Sequence, residues 1–563
     1  MTLFNDIIDF VKPGRKDAPP KKMPTATADF SAEREAPIRQ DSQHPCLAYT
    51  NLKTRFRDIG RMNAIIETLG RDFLTAMPEG AYKSRLGQMA FLYRRMHEDL
   101  TSPEIQKLMD IAQQHQYDHL DVWDEWDEAN IREMASMYRM YCHVDPNLME
   151  RKAHLSYEGR RHHRAIKESG DWEQAKGFLS AQIELHQKIA DQRCEALDAD
   201  NRYDMLMQEF MPSLRLSDVE PLLAQHGKAL ETLTDEIIAK QAKEPKPIPF
   251  EAELEFDPEG QMWLNRSLLE VIGFDFDRGG LYETGHNPVE GGTPEDTRLV
   301  ISNVDDKDFM DSMKSALHEG GHGLYIQGLP RAEWRYQPVG MDLGAAVHES
   351  QALLVEMIFG RTSEFYQFLS PRLEGLFHGI NSPALSAENL HRLKTRVSKT
   401  VDRKQADEVT YFYHVMLRYQ LERDLIEGKL KIDDLPEAWV EGLHEMLGVT
   451  PENNLAGCLQ DVHWFVGKFG YFPAYAVGHM MAAQLYEALR SAIPDLLERI
   501  AAGDYEEIKA WLHTNVYSRG RLMSAQKLIK QATGKKLQAE CLEKHLRRRY
   551  LSNWTTKIAG TGR

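Results

Sequence analysis

The chain has 563 residues, 42% hydrophobic and 28% charged, which are the proportions of a soluble globular protein able to bury a large core. A formal net charge of −17, spread along the chain, disfavours nucleic acid as the main partner. Five scattered cysteines (Cys46, Cys142, Cys194, Cys458 and Cys541), odd in number and without CxxC spacing, read as free thiols of a reducing compartment.

The N-terminus carries Asp6 and Asp9 and no basic stretch before an apolar one, so it does not read as a signal peptide. No run of 18 apolar residues predicts a membrane span, and cytoplasm is the expected location. Residues 13–40, with Pro13-Gly14 and Pro19-Pro20, read as a tail or linker, so that 1–45 is expected to be a flexible N-terminal extension. Residues 46–563 are expected to form a single helical domain, with 46–245 as its N-terminal helical part and 246–563 as its catalytic part. Apolar residues at three- and four-residue spacing predict helices over 50–77, 84–98, 103–115, 128–143, 171–197 and 217–241. The acidic cluster Asp121, Asp124, Glu125, Asp127 and Glu128 lacks the glycine and alternation of a calcium loop and reads as a solvated helix face around Trp123 and Trp126. Residues 243–249 are a turn-rich connector, followed by a helix at 258–272 and a glycine-rich loop over 278–294. Thr297 to Ser302 reads as a short strand. Beyond residue 310 come a helix, a loop over 329–342, a helix over 344–359 ending at Gly360, and helices at 387–400, 404–428, 435–447, 473–501 and within 505–550.

The helix after the strand contains His318-Glu319-Gly320-Gly321-His322. Residues four apart share a helix face, so His318 and His322 can offer two imidazoles to one metal ion. Glu319, about 100° round the helix, can reach a water on that ion as general base. Five residues alone also fit a surface helix with two solvated histidines. Against that, Phe309, Met313, Ala316 and Leu317 make the helix apolar, and a mid-helix glycine costs roughly 1 kcal/mol relative to alanine. The pair Gly320-Gly321 therefore signals close approach of another segment or of a substrate. A hydrolytic zinc site needs a third protein ligand and an open position. Glu333, Asp342, His348, Glu349 and Glu356 are the downstream candidates. Glu349, at a helix start after a loop, is the first choice, with His348 and Glu356 as alternatives.

Further motifs occur downstream and upstream. His348-Glu349-Ser350-Gln351 matches HESQ, and Gly457 to Trp464 fits GxxQDxHW at every fixed position, with Gly470-Tyr471-Phe472-Pro473 after it. Arg403 to Asp407 matches the core of IRxxAD, Asp296-Thr297-Arg298 the start of DxRxT, and Met77 to Ala81 a typical N-terminal segment. Over roughly residues 48–555 the sequence resembles the Taq-type zinc carboxypeptidases, the thermostable carboxypeptidase 1 family. The resemblance implies a mainly α, large helical metallopeptidase fold with a deep substrate groove and a small β-sheet next to the HEXXH helix. It implies Glu349 as third zinc ligand and one Zn2+ per chain, with Co2+ as a possible substitute. It implies a homodimer that releases C-terminal residues from peptides with a free C-terminus; the charge and the lack of a long apolar run add the expectation of no nucleic-acid or membrane partner.

A free carboxylate suits an arginine fork. Arg298 and Arg403 are the candidates by motif position; structural salt bridges Arg298–Asp296 or Arg403–Asp407 are the alternative. His463 is a candidate donor to the substrate carbonyl or oxyanion, or else packs beside Trp464. Tyr471 and Tyr475 are candidate oxyanion donors or core residues. Three substrate-side positions depart from the family pattern: Val300 ends DxRxT, Asp402 begins IRxxAD, and the HPF triplet is His286-Asn287-Pro288. Competing readings are an endo-oligopeptidase on the same scaffold, and a catalytically weak zinc-bearing helical binding protein.

Overall fold

Long stretches with helical spacing and few breakers become helices where one face can be buried. The computed structural model describes residues 44–552 apart from 252–253, 284–288, 303 and 378–381. The expected extension, but for its last two residues, and the departure at Asn287 lie outside the described residues. The first helices are α1 (Leu47–Thr75), α2 (Tyr82–Leu100), α3 (Pro103–Asp118), α4 (Glu125–Tyr141), α5 (Pro146–Ser169), α6 (Trp172–Leu197), α7 (Arg202–Phe210) and α8 (Leu216–Gln241). Their starts obey capping chemistry: Asp124, Asp145, Asp171 and Asn201 accept backbone N–H groups of the first turns of α4 to α7. The acidic cluster around Trp123 thus includes a helix cap.

The second half holds α9 (Pro258–Val271), α10 (Phe309–Gly328), α11 (Ala345–Leu353), α12 (Ser363–Leu376), α13 (Ala387–Thr395), α14 (Tyr411–Ile426) and α15 (Leu435–Leu447). It ends with α16 (Phe472–Ala492), α17 (Leu496–Ala502), α18 (Glu506–Asn515), α19 (Ala525–Thr533) and α20 (Glu540–Leu551). The two largest clusters of buried side chains are a main core running from Ile166 to Tyr550 and a smaller one running from Cys46 to Ala135, contributed mostly by α1 to α4. Between them opens a cleft of about 470 Å³, lined by Phe56, Glu67 and Tyr93 on one side and Thr293, Tyr336 and Lys468 on the other. All five cysteines are free, and no helix among the described residues is long and apolar enough to cross a membrane.

The sheet has order β1-β3-β2, with β1 (Gly279–Glu283) parallel and β2 (Val289–Thr293) antiparallel to β3 (Asp296–Ile301). β3 is the strand read from the sequence. The flanking strands lie in the stretch read as a glycine-rich loop, and that reading needs correction. Gly279 pairs with Thr297 in the sheet, and the position requires glycine because a Cβ there would strike Phe274 and the Thr297 carbonyl. Gly292 has φ +123°, which favours glycine inside the hairpin.

Several predicted helices end elsewhere. The helix over 387–400 stops at Thr395, because the Gln241 side chain binds the Thr395 carbonyl at 2.8 Å and the Val397 N–H at 2.9 Å. Asp407 binds the N–H groups of Ser398, Val409 and Thr410 at 2.8–2.9 Å, so the next α-helix starts at Tyr411 rather than 404. The helix over 473–501 is two, α16 and α17, and the helix over 344–359 becomes a π turn at Leu354–Ile358.

Candidate metal centre and substrate cleft

α10 is buried nearly all round, and both of its central glycines are explained by neighbours. A Cβ on Gly320 would meet the side chains of Leu269 of α9 and of Ile272 just beyond it. A Cβ on Gly321 would run into the α11 backbone, with the Ala352 Cα 2.6 Å away. On the opposite side of α11, a Cβ on Gly478 of α16 would lie 2.8 Å from the Glu349 Cβ. α11 is therefore wedged between two glycine notches, which fixes how far Glu349 stands from α10.

That spacing brings the donors together. The Nε2 atoms of His318 and His322 lie 3.7 and 3.8 Å from the Glu349 Oε2. The two imidazoles are nearly perpendicular, at 85°. Among the described residues, His318, His322 and Glu349 form the group that could hold a metal ion, with donor atoms within 4.8 Å of one another. Bonds of about 2 Å to a tetrahedral ion separate its ligands by about 3.4 Å, so the set fits a cation with a small inward movement. The other Glu349 oxygen, Oε1, accepts a hydrogen bond of 2.8 Å from the Tyr471 hydroxyl. Tyr471 is brought there by Gly470, which has φ +92° and whose absent Cβ would strike the backbone of Met207.

The alternative third ligands sit on the outer nitrogens. His318 Nδ1–H donates to the Glu356 Oε2 at 3.0 Å, and His348 Nδ1 touches His322 Nδ1. Burial lowers the His318 imidazole, but the Glu356 hydrogen bond and the charges of Glu349 and Glu319 outweigh it and hold the ring at about 10. Burial raises the Glu356 carboxyl; the His318 bond and the charges of Lys314, His318 and Arg361 overcome this and bring it to about 2. Asp342 caps the turn before α11 through the Gly344 N–H at 2.9 Å, and Glu333 is exposed. Glu319, only 2% exposed, comes directly after His318 on α10.

Arg403, His463 and Tyr471 form one connected wall. Arg403 Nε and Nη2 donate to the Asp461 Oδ1 at 3.1 and 2.7 Å, and its Nη1 donates to the Tyr411 hydroxyl at 3.3 Å. The alternative pairing with Asp407 is not the one adopted, because that carboxylate is taken by the N–H groups of Ser398, Val409 and Thr410 in the turn before α14. Asp461 is also bound by Arg418, and its Oδ1 lies 3.8 Å from His463 Nδ1. His463 Nε2 meets the Tyr475 hydroxyl at 3.0 Å, and the Tyr475 and Tyr471 rings are 5.2 Å apart. Burial, opposed by Asp461 and helped by Arg403, Lys468 and Arg418, holds His463 well below the ordinary histidine range, so it is neutral at pH 7. Lys468 lies over the Tyr471 ring at 4.6 Å and also lines the cleft, which joins this wall to the cleft.

Arg298 is placed differently. It lies on the central strand β3, pairs with Asp296 and donates to the Tyr282 hydroxyl at 2.6 Å, with its side chain partly exposed. Of the departures, Val300 is buried in β3, and Asp402 caps the turn that carries Arg403 through the Lys404 N–H at 2.9 Å. Sequence reasoning does not single out Asp461, Arg418 or Gly478. Asp461 is within its reach as the acid of GxxQDxHW, but the arginine partners come from distant segments.

A mainly helical chain that brings the two histidines of an HEXXH helix to a third donor, a carboxylate, has the donor set of a metallopeptidase. Residues 51–550 match the family described as carboxypeptidase Taq (M32) metallopeptidase. Thermostable carboxypeptidase 1 of Thermus thermophilus is 29% identical over 90% of this chain and 99% of its own. Among solved structures, Trypanosoma cruzi metallocarboxypeptidase 1 superposes with TM-score 0.82 at 32% identity, over 90% of this chain and all of that one. The M32 carboxypeptidase from Deinococcus radiodurans R1 gives TM-score 0.80 at 27% identity, over 90% of this chain and 99% of its own. The chain belongs to the carboxypeptidase Taq family and is a metallocarboxypeptidase acting on peptides.

Proposed function

We propose that the chain is a zinc carboxypeptidase in which His318, His322 and Glu349 hold one zinc ion per chain, with cobalt as a possible substitute. The observation that carries this is the approach of both Nε2 atoms to within 3.8 Å of one Glu349 oxygen. When bound, zinc supplies Lewis acidity and lowers the pKa of a water to about 7. Glu319 takes the proton of the attacking water and hands it to the leaving amine. Tyr471 holds Glu349 with one oxygen turned to the histidines. His463 and Tyr475, neutral hydrogen-bonding groups beside it, stabilise the oxyanion that develops on the scissile carbonyl. Arg403, fixed by Asp461 in the same wall, reads the substrate's free carboxylate; Arg298, more exposed on β3, is a second carboxylate binder. The chain works as a cytoplasmic homodimer.

The test pairs one mixed-sequence peptide with its C-terminal amide and tracks the products by mass. Stepwise loss of C-terminal residues from the free acid, with the amide spared, is expected; internal cleavage of both would establish an endo-oligopeptidase instead. Glu319→Gln should retain stoichiometric zinc and lose about 1,000-fold in kcat. Equal inactivity of parent and variant over a broad peptide set, both holding zinc, would leave a zinc-bearing binding protein.

A further inference from the structure

Glu356 and the C-terminal helix are joined by a feature that the hydrolytic reading leaves unused. α11 does not run on regularly: Leu354–Ile358 is a π turn, and a short 3-10 turn, Phe359–Arg361, comes next. Such an interruption rotates the residues beyond it and recurs at functional sites. Here it presents Glu356, 5% exposed, to the Nδ1–H of His318 at 3.0 Å, on the nitrogen facing away from Glu349. The Arg361 guanidinium stands 3.6 Å from the other Glu356 oxygen.

A helix that ends in this way leaves its last carbonyls in need of donors. Those of Met357 and Ile358 are taken by Arg549 of α20, at 2.6 Å each, one from Nη1 and one from Nη2. The same Nη1 binds Glu408, wholly buried, at 2.7 Å. Glu408 also accepts from His545 Nε2 at 2.9 Å and from the Tyr550 hydroxyl at 3.0 Å, so three side chains of α20 converge on one anion. Arg549 is thereby held rigidly, and its fork spans the two carbonyls next to Glu356.

We propose that Glu356 is a positioning residue that fixes the ring plane and tautomer of His318 for metal binding, and that Arg549 holds the π turn carrying it. A carboxylate on the outer nitrogen leaves Nε2 as the lone-pair donor and makes it more basic. Arg549 acts only through the turn: it touches neither substrate nor the donor atoms. The inference rests on His318 being a metal ligand.

The test is equilibrium competition for zinc against a chromogenic chelator, on full-length protein checked for folding by circular dichroism. His318→Ala tests the underlying reading: zinc affinity like the parent's would sink that reading, whatever Glu356 does. With His318→Ala impaired, Glu356→Gln should bind zinc about 10- to 100-fold more weakly. Binding within twofold of the parent overturns the role of Glu356. Arg549→Lys keeps a cation at Glu408 but cannot span both carbonyls, and should lose several-fold in zinc affinity in the parent and nothing further in a Glu356→Gln background. Arg549→Met should act in the same direction and more strongly. A drop in the melting temperature of the metal-free variants with zinc affinity unchanged, or equal losses in the two backgrounds, overturns the role of Arg549.

Discussion

Glu422 is fully buried, and the groups that reach it are neutral donors: Tyr203, the Trp464 indole at 3.0 Å and the Gly470 N–H at 3.3 Å. Burial raises its carboxyl from 4.5 to about 8, only partly opposed by these hydrogen bonds. The folded protein thus keeps a proton that the unfolded chain releases near 4.5, so stability falls as pH rises from there to about 8. Glu422→Gln should match the parent at pH 4 and exceed it by several kcal/mol, up to about 5, at pH 9 in urea melts; parallel pH profiles would refute this. Arg403 offers a second test at this scale. Removing it leaves Asp461 with less compensation, so stability will fall whatever its role. A carboxylate-reading role is isolated by a ratio: in Arg403→Met the preference in kcat/KM for free-acid over amide substrates should collapse by about 10-fold or more. A purely structural Arg403 would lower both rates together and preserve the ratio.

Between elements, the two glycines of HEGGH should respond differently to alanine. Each substitution gains roughly 1 kcal/mol of helix propensity. At 320 the new methyl meets the ends of Leu269 and Ile272, which can turn aside; at 321 it meets backbone, which cannot. Gly320→Ala should fold with near-parental stability and bind metal, whereas Gly321→Ala should push α10 from α11 and lose several kcal/mol or its metal. Melting temperature and zinc content read both. The histidine pair is legible in the sequence because its spacing is local to one helix, and the strand before it because it is rich in β-branched and long apolar residues. β1 and β2 are not, since their glycines speak for a loop until the pairing with β3 is known. Nor is the Arg403–Asp461 pair, because nothing local says which of several acids an arginine will meet. The π turn hides Glu356's position as well: regular helix geometry does not give the register beyond Leu353.

At the scale of the whole molecule, the cleft divides a small core from a large one. A peptide lying in it would touch both, and the smaller core has less burial to hold it closed. Hydrogen exchange should be faster in α1 to α4 than in α10, α11 and α16, and a slowly cleaved peptide should protect α1 and α2 selectively; uniform exchange across both would argue against such an opening. Sheet, metal helix and third-ligand helix are foreseeable as a set from motifs in order, while the division of the core is not, because it depends on which helices pack together. One contact adds a temporal dimension. Arg549 lies on the last helix of the described residues, long after His318 and Glu356 in order of synthesis. A nascent chain already carries both histidines and Glu349, yet lacks the guanidinium that fastens the turn behind them. The last several-fold of metal affinity would then arrive only when α20 docks.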